Sequence, residues 1–244
     1  EGKITLIDLN NRTIDKTVDV DCIIFDIEWG NGDRCYYTSN VSNGPLKWIN
    51  ATTGEYGERS DVTLNEQTVI NKIPGQNYIT AYLRYSGFIY IFDAQTGESV
   101  KNLNISLEQF WPSADGAYIF CPDRNVYRTS DFQSNSILPV AQLKVNESES
   151  IQWIDCDPDN LWALRKGYHA DNRPEIWQLE TVNYDIVKTL YYDEYCWATI
   201  NGTYAEYPAE AHYVFAGREQ NEIVAVKSLR DYGNVWALEY IPLF

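Results

Sequence analysis

Four arginines recur along the chain at near-regular intervals, Arg84, Arg124, Arg165 and Arg218, and Asn40 opens the same series. A guanidinium is a planar fork that donates paired hydrogen bonds, so a ring of such groups is a receptor for a carboxylate, sulfate or phosphate. A second series is acidic: Asp21, Glu66, Glu108, Glu149 and Asp193 with Glu194. Arginines paired with these acids across neighbouring loops would instead form an internal ion-pair belt, which accounts for both series at once. A third series is aromatic, with Trp29, Phe110, Trp111, Trp153 and Trp197 in apolar runs and Tyr85, Tyr168 and His169 beside the arginines. Indole and phenol faces next to polar groups hold sugars or flat rings, although packing in a core is the commoner use of any one tryptophan. The candidate ligand-binding set is Arg84, Arg124, Arg165, Arg218, Tyr85, Tyr168, His169, Trp111, Trp153 and Trp197.

Other chemistry is sparse. The stretch "DCDPDN" places Asp155, Asp157 and Asp159 at alternate positions, as in a calcium loop, but it falls where a hairpin turn is expected and lacks the downstream bidentate Glu. Calcium is the one cofactor the sequence suggests; otherwise none is expected. Asn71, Glu28 and Asp155 could be cast as converging ligands of a lactonase-type metal site, yet no spacing singles them out. Two histidines, His169 and His212, and no GxSxG, HExxH, P-loop or dinucleotide fingerprint argue against the common catalytic sets. The five cysteines, Cys22, Cys35, Cys121, Cys156 and Cys196, show no metal-ligand spacing and read as small apolar residues within strands, with one or two bridges left open.

The elements that must position these residues are strands. "IYIFDAQTGE" (Ile89 to Glu98) is an apolar strand running into a tight polar turn. The same pattern stands at "ITLIDLNNRTI" from Ile4 and "LKWINATTGEY" from Leu46, with weaker copies from Val126, Glu175 and Glu222. Aligning Asp8, Asn50, Asp93, Ser130, Gln178 and Lys227 gives spacings of 42, 43, 37, 48 and 49 residues. A repeat of that length built from short strands is the mark of propeller blades. Between the repeats lie second hairpins, such as "SLEQFWPSADGAYIFCPD" from Ser106 and "IQWIDCDPDNLWALRK" from Ile151, with Gly, Asn and Asp at the tips where a positive φ is needed. In the last copy the stretch "NGTYAEYPAEAH" is expected to be a longer connection with a short helical turn.

Taken with "YYTSN" (Tyr36 to Asn40) and "SADGAYIF", these segments resemble the YVTN-type β-propeller repeats over most of the chain. The resemblance implies four-stranded antiparallel blades whose first strands line a central channel. It implies no one activity, because this architecture carries enzymes, binding proteins and scaffolds alike. The expectation is an all-β chain, one propeller domain over 1–244, with six or seven blades of which five are complete here. Lys3 to Val20 would be an orphan outer strand pair whose inner strands belong to an absent N-terminal part. Its free edge is expected to meet a third strand, from a missing segment, another chain, or the C-terminal "NVWALEYIPLF" wrapping round.

The formal charge of −16 would repel nucleic acid, whose phosphates call for a basic footprint. No run of 18 apolar residues marks a transmembrane segment. Six N-x-[ST] sequons, at Asn11, Asn40, Asn50, Asn104, Asn146 and Asn201, point to an exported, extracellular or cell-surface protein. The leading expectation is a non-catalytic exported propeller that binds a small molecule, glycan or protein on its channel-mouth face. The alternatives are a channel enzyme of lactonase or cyclotransferase type using a carboxylate and calcium, and a structural module of a larger assembly.

Overall fold

The computed structural model describes residues 2–8, 10–83, 88–104, 109–134, 137–145, 150–166, 175–217 and 222–243. The chain is nearly all β, 65% strand and 2% helix, and divides into two compact units: Glu1–Gln109 with Phe132–Ile137, and Phe110–Asp131 with Leu138–Phe244.

The first unit holds a two-stranded sheet, β1 (Gly2–Asp8) and β2 (Thr13–Val20), and two four-stranded antiparallel sheets. One is β3 (Ile24–Trp29), β4 (Arg34–Ser39), β5 (Gly44–Asn50) and β6 (Tyr56–Leu64). The other is β7 (Thr68–Lys72), β8 (Tyr78–Leu83), β9 (Phe88–Asp93) and β10 (Ser99–Asn104). The second unit holds three more. They are β11 (Trp111–Pro112), β12 (Tyr118–Phe120), β13 (Asn125–Arg128) and β14 (Ala141–Gln142); then β15 (Ser150–Cys156), β16 (Leu161–Lys166), β17 (Glu175–Leu179) and β18 (Ile186–Tyr191); then β19 (Tyr195–Ile200), β20 (Thr203–Ala216), β21 (Glu222–Leu229) and β22 (Tyr232–Pro242). Five four-stranded blades and a separate pair are what the repeat spacing implied.

The turn chemistry explains why the first three copies read so clearly. Asp8 Oδ1 accepts the N–H groups of Asn10 and Asn11, Asn50 Oδ1 those of Thr52 and Thr53, and Asp93 Oδ1 those of Gln95 and Thr96. Each side chain thus builds the same turn from the same position. In the "QTGE" turn Gly97 has a φ of +74°, and a Cβ there would lie 2.7 Å from the buried Tyr36 ring, so glycine serves both the turn and the packing of neighbouring sheets. The later copies have lost this device: Ser130 lies in a 3-10 turn, and Gln178 and Lys227 sit inside β17 and β21.

Sheets bury their faces against each other. Tyr36, Leu46, Leu64, Ile70, Ile79 and Phe92 fill the space between β3–β6 and β7–β10. Trp111, Phe120, Val126, Ile154, Ala163 and Trp177 join β11–β14 to β15–β18, and Trp162, Leu164, Ile176, Val214, Ile223 and Ala225 join β15–β18 to β20–β22. All five cysteines are free thiols; Cys22, Cys35 and Cys121 are buried, as expected of small apolar residues, and burial pushes the Cys35 thiol up to about 12.

Two expectations are corrected. No third strand pairs with β1 among the described residues, and β22 pairs with β21 instead of wrapping round to it. The pair is held by its face: Ile4 and Val20 pack on Cys22, Cys35, Tyr37 and Ile49, and Lys16 Nζ donates to the carbonyl of Thr52 at 2.7 Å. The stretch from Thr203 to Ala216 is one long strand with no helical turn. The tight turn lies before it, at Asn201 and Gly202, which have φ of +50° and +82°. β20 pairs with β19 up to Pro208 and with β21 from Ala209, so the residue without an N–H stands where the ladder changes partner.

Candidate functional site

The site is built on inner strands, and a common irregularity shapes them. Register shifts lie between Ile24 and Asp26 on β3, Ile151 and Trp153 on β15, and Ala211 and Tyr213 on β20, so Phe25, Gln152 and His212 are equivalent bulge residues. Two positions further on from Asp26 and Trp153 stand Glu28 and Asp155. Both carboxylates are occupied: Glu28 Oε2 accepts the N–H of Lys72 at 3.1 Å and Asp155 Oδ2 that of Ala216 at 2.9 Å. Asp26 Oδ2 likewise accepts the N–H of Ile70 at 2.8 Å. An inner-strand acid therefore latches onto the backbone of the next sheet, satisfying N–H groups that no ladder reaches. Burial raises all three carboxyls above their ordinary values, against the pull of these N–H donors.

These latches change the reading of the acidic residues. Glu28 and Asp155 serve sheet-to-sheet contacts, and Asp157 Oδ1 accepts the N–H groups of Asp159 and Asn160, which makes "DCDPDN" a hairpin turn. Asn71 lies on β7. Among the described residues no group of three or more His, Cys, Asp or Glu is placed to hold a metal ion.

Of the candidate set, Arg84, Tyr85, Tyr168, His169 and Arg218 lie outside the described residues. Arg124 is half-buried in the β12–β13 turn with a φ of +73°, its carbonyl accepting from Leu143. Arg165 is buried on β16, 3.7 Å from Glu175 of the adjacent strand in its own sheet. Of the loop acids that the sequence set beside the arginines, Glu108 and Glu149 lie outside the described residues. Trp197 stands apart, exposed on β19 and stacked on Tyr204 at 5.2 Å.

Trp111 and Trp153 do come together, with ring centroids 5.9 Å apart, and from them a tract of rings runs to the surface. Trp153 meets Tyr213 edge-on at 4.8 Å and Phe215 at 6.1 Å; Tyr213 stacks on Phe215 and on Trp236. Exposure rises along it, from 6% at Trp111 to 51% at Trp236. Leu238 and Tyr240 extend the same face of β22, at 58% and 59%. The indole N–H groups of Trp111 and Trp153 are buried and meet no acceptor among the described residues.

The polar edge of the tract is His212, 5.3 Å from Trp236. Its Nε2 lies 2.8 Å from Ser228 Oγ, and Gln152 Nε2 lies 3.4 Å from its Nδ1. The ring is thus held between a serine hydroxyl and a side-chain amide. Beneath the face, Lys227 is buried at 2% exposure; its ammonium donates to Glu239 Oε2 at 2.8 Å and to the carbonyls of Asp193 and Tyr195 at 2.8 and 3.0 Å, tying β19 to the sheet.

Sequence reasoning found Trp111 and Trp153 but missed Tyr213, Phe215, Trp236 and Tyr240. The signal was available in the alternation of "HYVFA" and "NVWALEY", where every second residue shares a face and puts Tyr213 with Phe215 and Trp236 with Tyr240.

No protein-family model matches the chain, and no curated protein sequence does. Among solved structures it is similar to the β-propeller domain of Cps50 (Swd1) from Myceliophteria thermophila, at 12% identity and a TM-score of 0.65 over 99% of this chain and 78% of that one. It is also similar to hydrazine synthase of Kuenenia stuttgartiensis, at 13% identity and a TM-score of 0.58 over 91% of this chain and 63% of that one. At these identities the likeness shows the β-propeller fold and nothing finer; no family match supports the YVTN-type repeats in particular.

Proposed function

We propose that this chain is a non-catalytic binding propeller that grips a protein partner on the outward face of β20–β22. One observation carries the reading: Tyr213, Phe215, Trp236, Leu238 and Tyr240 form an apolar sheet face that stays open to solvent, where the opposite face of the same sheet is buried against β15–β18. A contiguous exposed patch of this kind marks an interaction site, and Trp and Tyr are the residues that dominate binding energy in such places. An exposed face spread over three strands suits a protein surface better than a small ligand, which calls for a concave site.

An extracellular or cell-surface setting fits the six sequons and the acidic surface and belongs to the same proposal. The rival, a calcium-assisted channel enzyme, finds less support because Glu28, Asp155 and Asp157 are already spent on backbone N–H groups. The test compares the chain with its Tyr213→Ala, Trp236→Ala variant against a panel of candidate proteins and glycans, reading intrinsic tryptophan fluorescence and surface binding. The proposal expects protein partners to be lost with the variant. Retention of every partner would overturn it, and a rise of several degrees in Tm on adding calcium, reversed by a chelator, would favour the rival.

A further inference from the structure

We propose that the first unit carries a second docking site, separate from the aromatic face: an edge that adds one extended strand of a partner protein, apolar on one side and basic on the other, to β1. Five of the sheets have four strands, whereas β1 pairs only with β2, so its far edge bears a row of backbone N–H and C=O groups with no ladder among the described residues. Such an edge is a template for strand addition unless it is blocked by a bulge, proline or covering loop. β1 has no proline, and its bulge lies near its end, between Leu6 and Ile7.

Beside this edge lies a cleft of about 710 Å³ whose lining includes β1 from Ile4 to Asp8 and the facing residues of β3. Ile7, Ile27 and Trp29 supply apolar floor and walls and are 44–58% exposed, so an incoming strand would cover them with every second side chain. The charged lining residues are Asp8, Asp15 and Glu28, of which Glu28 is bonded to the Lys72 N–H; no lysine or arginine is among them, and the nearby Lys16 ammonium is held by the Thr52 carbonyl. The alternate side chains of the incoming strand are therefore best basic. The same acids argue against a second copy of this chain, because pairing two such clefts would bring like charges together.

The probe is an octapeptide of alternating valine and lysine, titrated by fluorescence anisotropy, with backbone hydrogen exchange read over β1. Three controls accompany it: a valine–glutamate octapeptide, the valine–lysine peptide N-methylated along one edge, and the Trp29→Ala chain, whose exposed side chain can be removed without opening the core. Binding of the valine–lysine peptide with slowed exchange in β1 is expected, as is an affinity loss of about tenfold or more in each control, since each removes charge, backbone bonding or the apolar wall. Equal binding by the N-methylated peptide, or binding without protection of β1, would overturn the proposal. So would protection of β1 that appears in the chain alone as it dimerises, because the occupant would then be a second copy.

Discussion

Two sheets, one in each unit, have a face that no other sheet of the same unit covers among the described residues, and the two faces are made differently. The uncovered face of the β1–β2 pair holds Lys3 against Asp19 at 3.3 Å and Thr5 against Thr17 at 3.4 Å, while Ile4 and Val20 are turned inward. The uncovered face of β20–β22 holds Tyr213, Phe215, Trp236, Leu238 and Tyr240. An uncovered face need not be an apolar one, since the first carries the Lys3–Asp19 and Thr5–Thr17 pairs, and its exposed apolar residues are Ile7 and Ile14, which pair near the β1–β2 turn. The second keeps the composition of an interior, and that contrast is the reason for assigning it a partner.

The largest expected effect concerns what holds the aromatic face in place. Replacing Lys227 by alanine leaves Glu239, three-quarters buried, and two carbonyls without their shared donor, and should cost about 3 kcal/mol in urea unfolding. A methionine at the same position should lose less, because it restores the packing volume. If both variants were as stable as the parent chain, the account of β19 being tied to the sheet by a buried ammonium would be wrong.

Next in size are the latches. Asp155→Ala removes the acceptor of the Ala216 N–H and should destabilise by about 1–3 kcal/mol, whereas Asp155→Asn keeps a carbonyl acceptor and should cost little at neutral pH. The pH dependence separates them further. Burial raises the folded-state values of Asp26, Glu28 and Asp155, so the native chain binds more protons than the unfolded chain just above the ordinary carboxylate range. Stability should therefore fall as pH rises through that window, and this component should flatten in Glu28→Gln and Asp155→Asn. Asp93 and Asp115, held low mainly by hydrogen-bond donors that outweigh burial, act in the opposite sense, their contribution being lost as pH falls. Unfolding curves taken from pH 4 to 8 would show a slope unchanged by the variants if burial did not raise these carboxyls in the folded chain.

How much of this could be read in the sequence depends on whether a residue acts locally. Asp8, Asn50 and Asp93 each bond to N–H groups two and three residues ahead, so their period was visible and the blades could be counted. Glu28 reaches across 44 residues to Lys72 and Asp155 across 61 to Ala216, and no local pattern marks such a pair. They were legible only as stray acids, which is why they suggested a metal site. Lys227 read as a turn position because its repeat copy was weak, yet it lies mid-strand. The long β20 was misread because Pro208 and the Ala and Glu residues around it carry turn and helix preferences that pairing with β19 and β21 overrides.

A smaller effect sharpens the contrast between the two faces. Lys3→Ala breaks an ion pair whose side chains are 68% and 81% exposed, and should change stability by less than about 1 kcal/mol, vanishing at high salt. Trp236→Ala should also leave stability within about 0.5 kcal/mol, since the ring is half exposed, but should weaken partner binding about tenfold or more. Similar stabilities with unlike binding would show that the polar face is scaffold and the aromatic face is contact surface.

The central claim is most directly tested by hydroxyl-radical footprinting of the chain alone and bound to a protein partner found by the binding screen, with oxidation followed at single residues. The account predicts that Tyr213, Phe215, Trp236 and Tyr240 lose reactivity together on binding while Trp197, exposed on β19 and stacked on Tyr204, changes less. Protection confined to another surface, with Trp236 and Tyr240 as reactive in the complex as in the free chain, would contradict it.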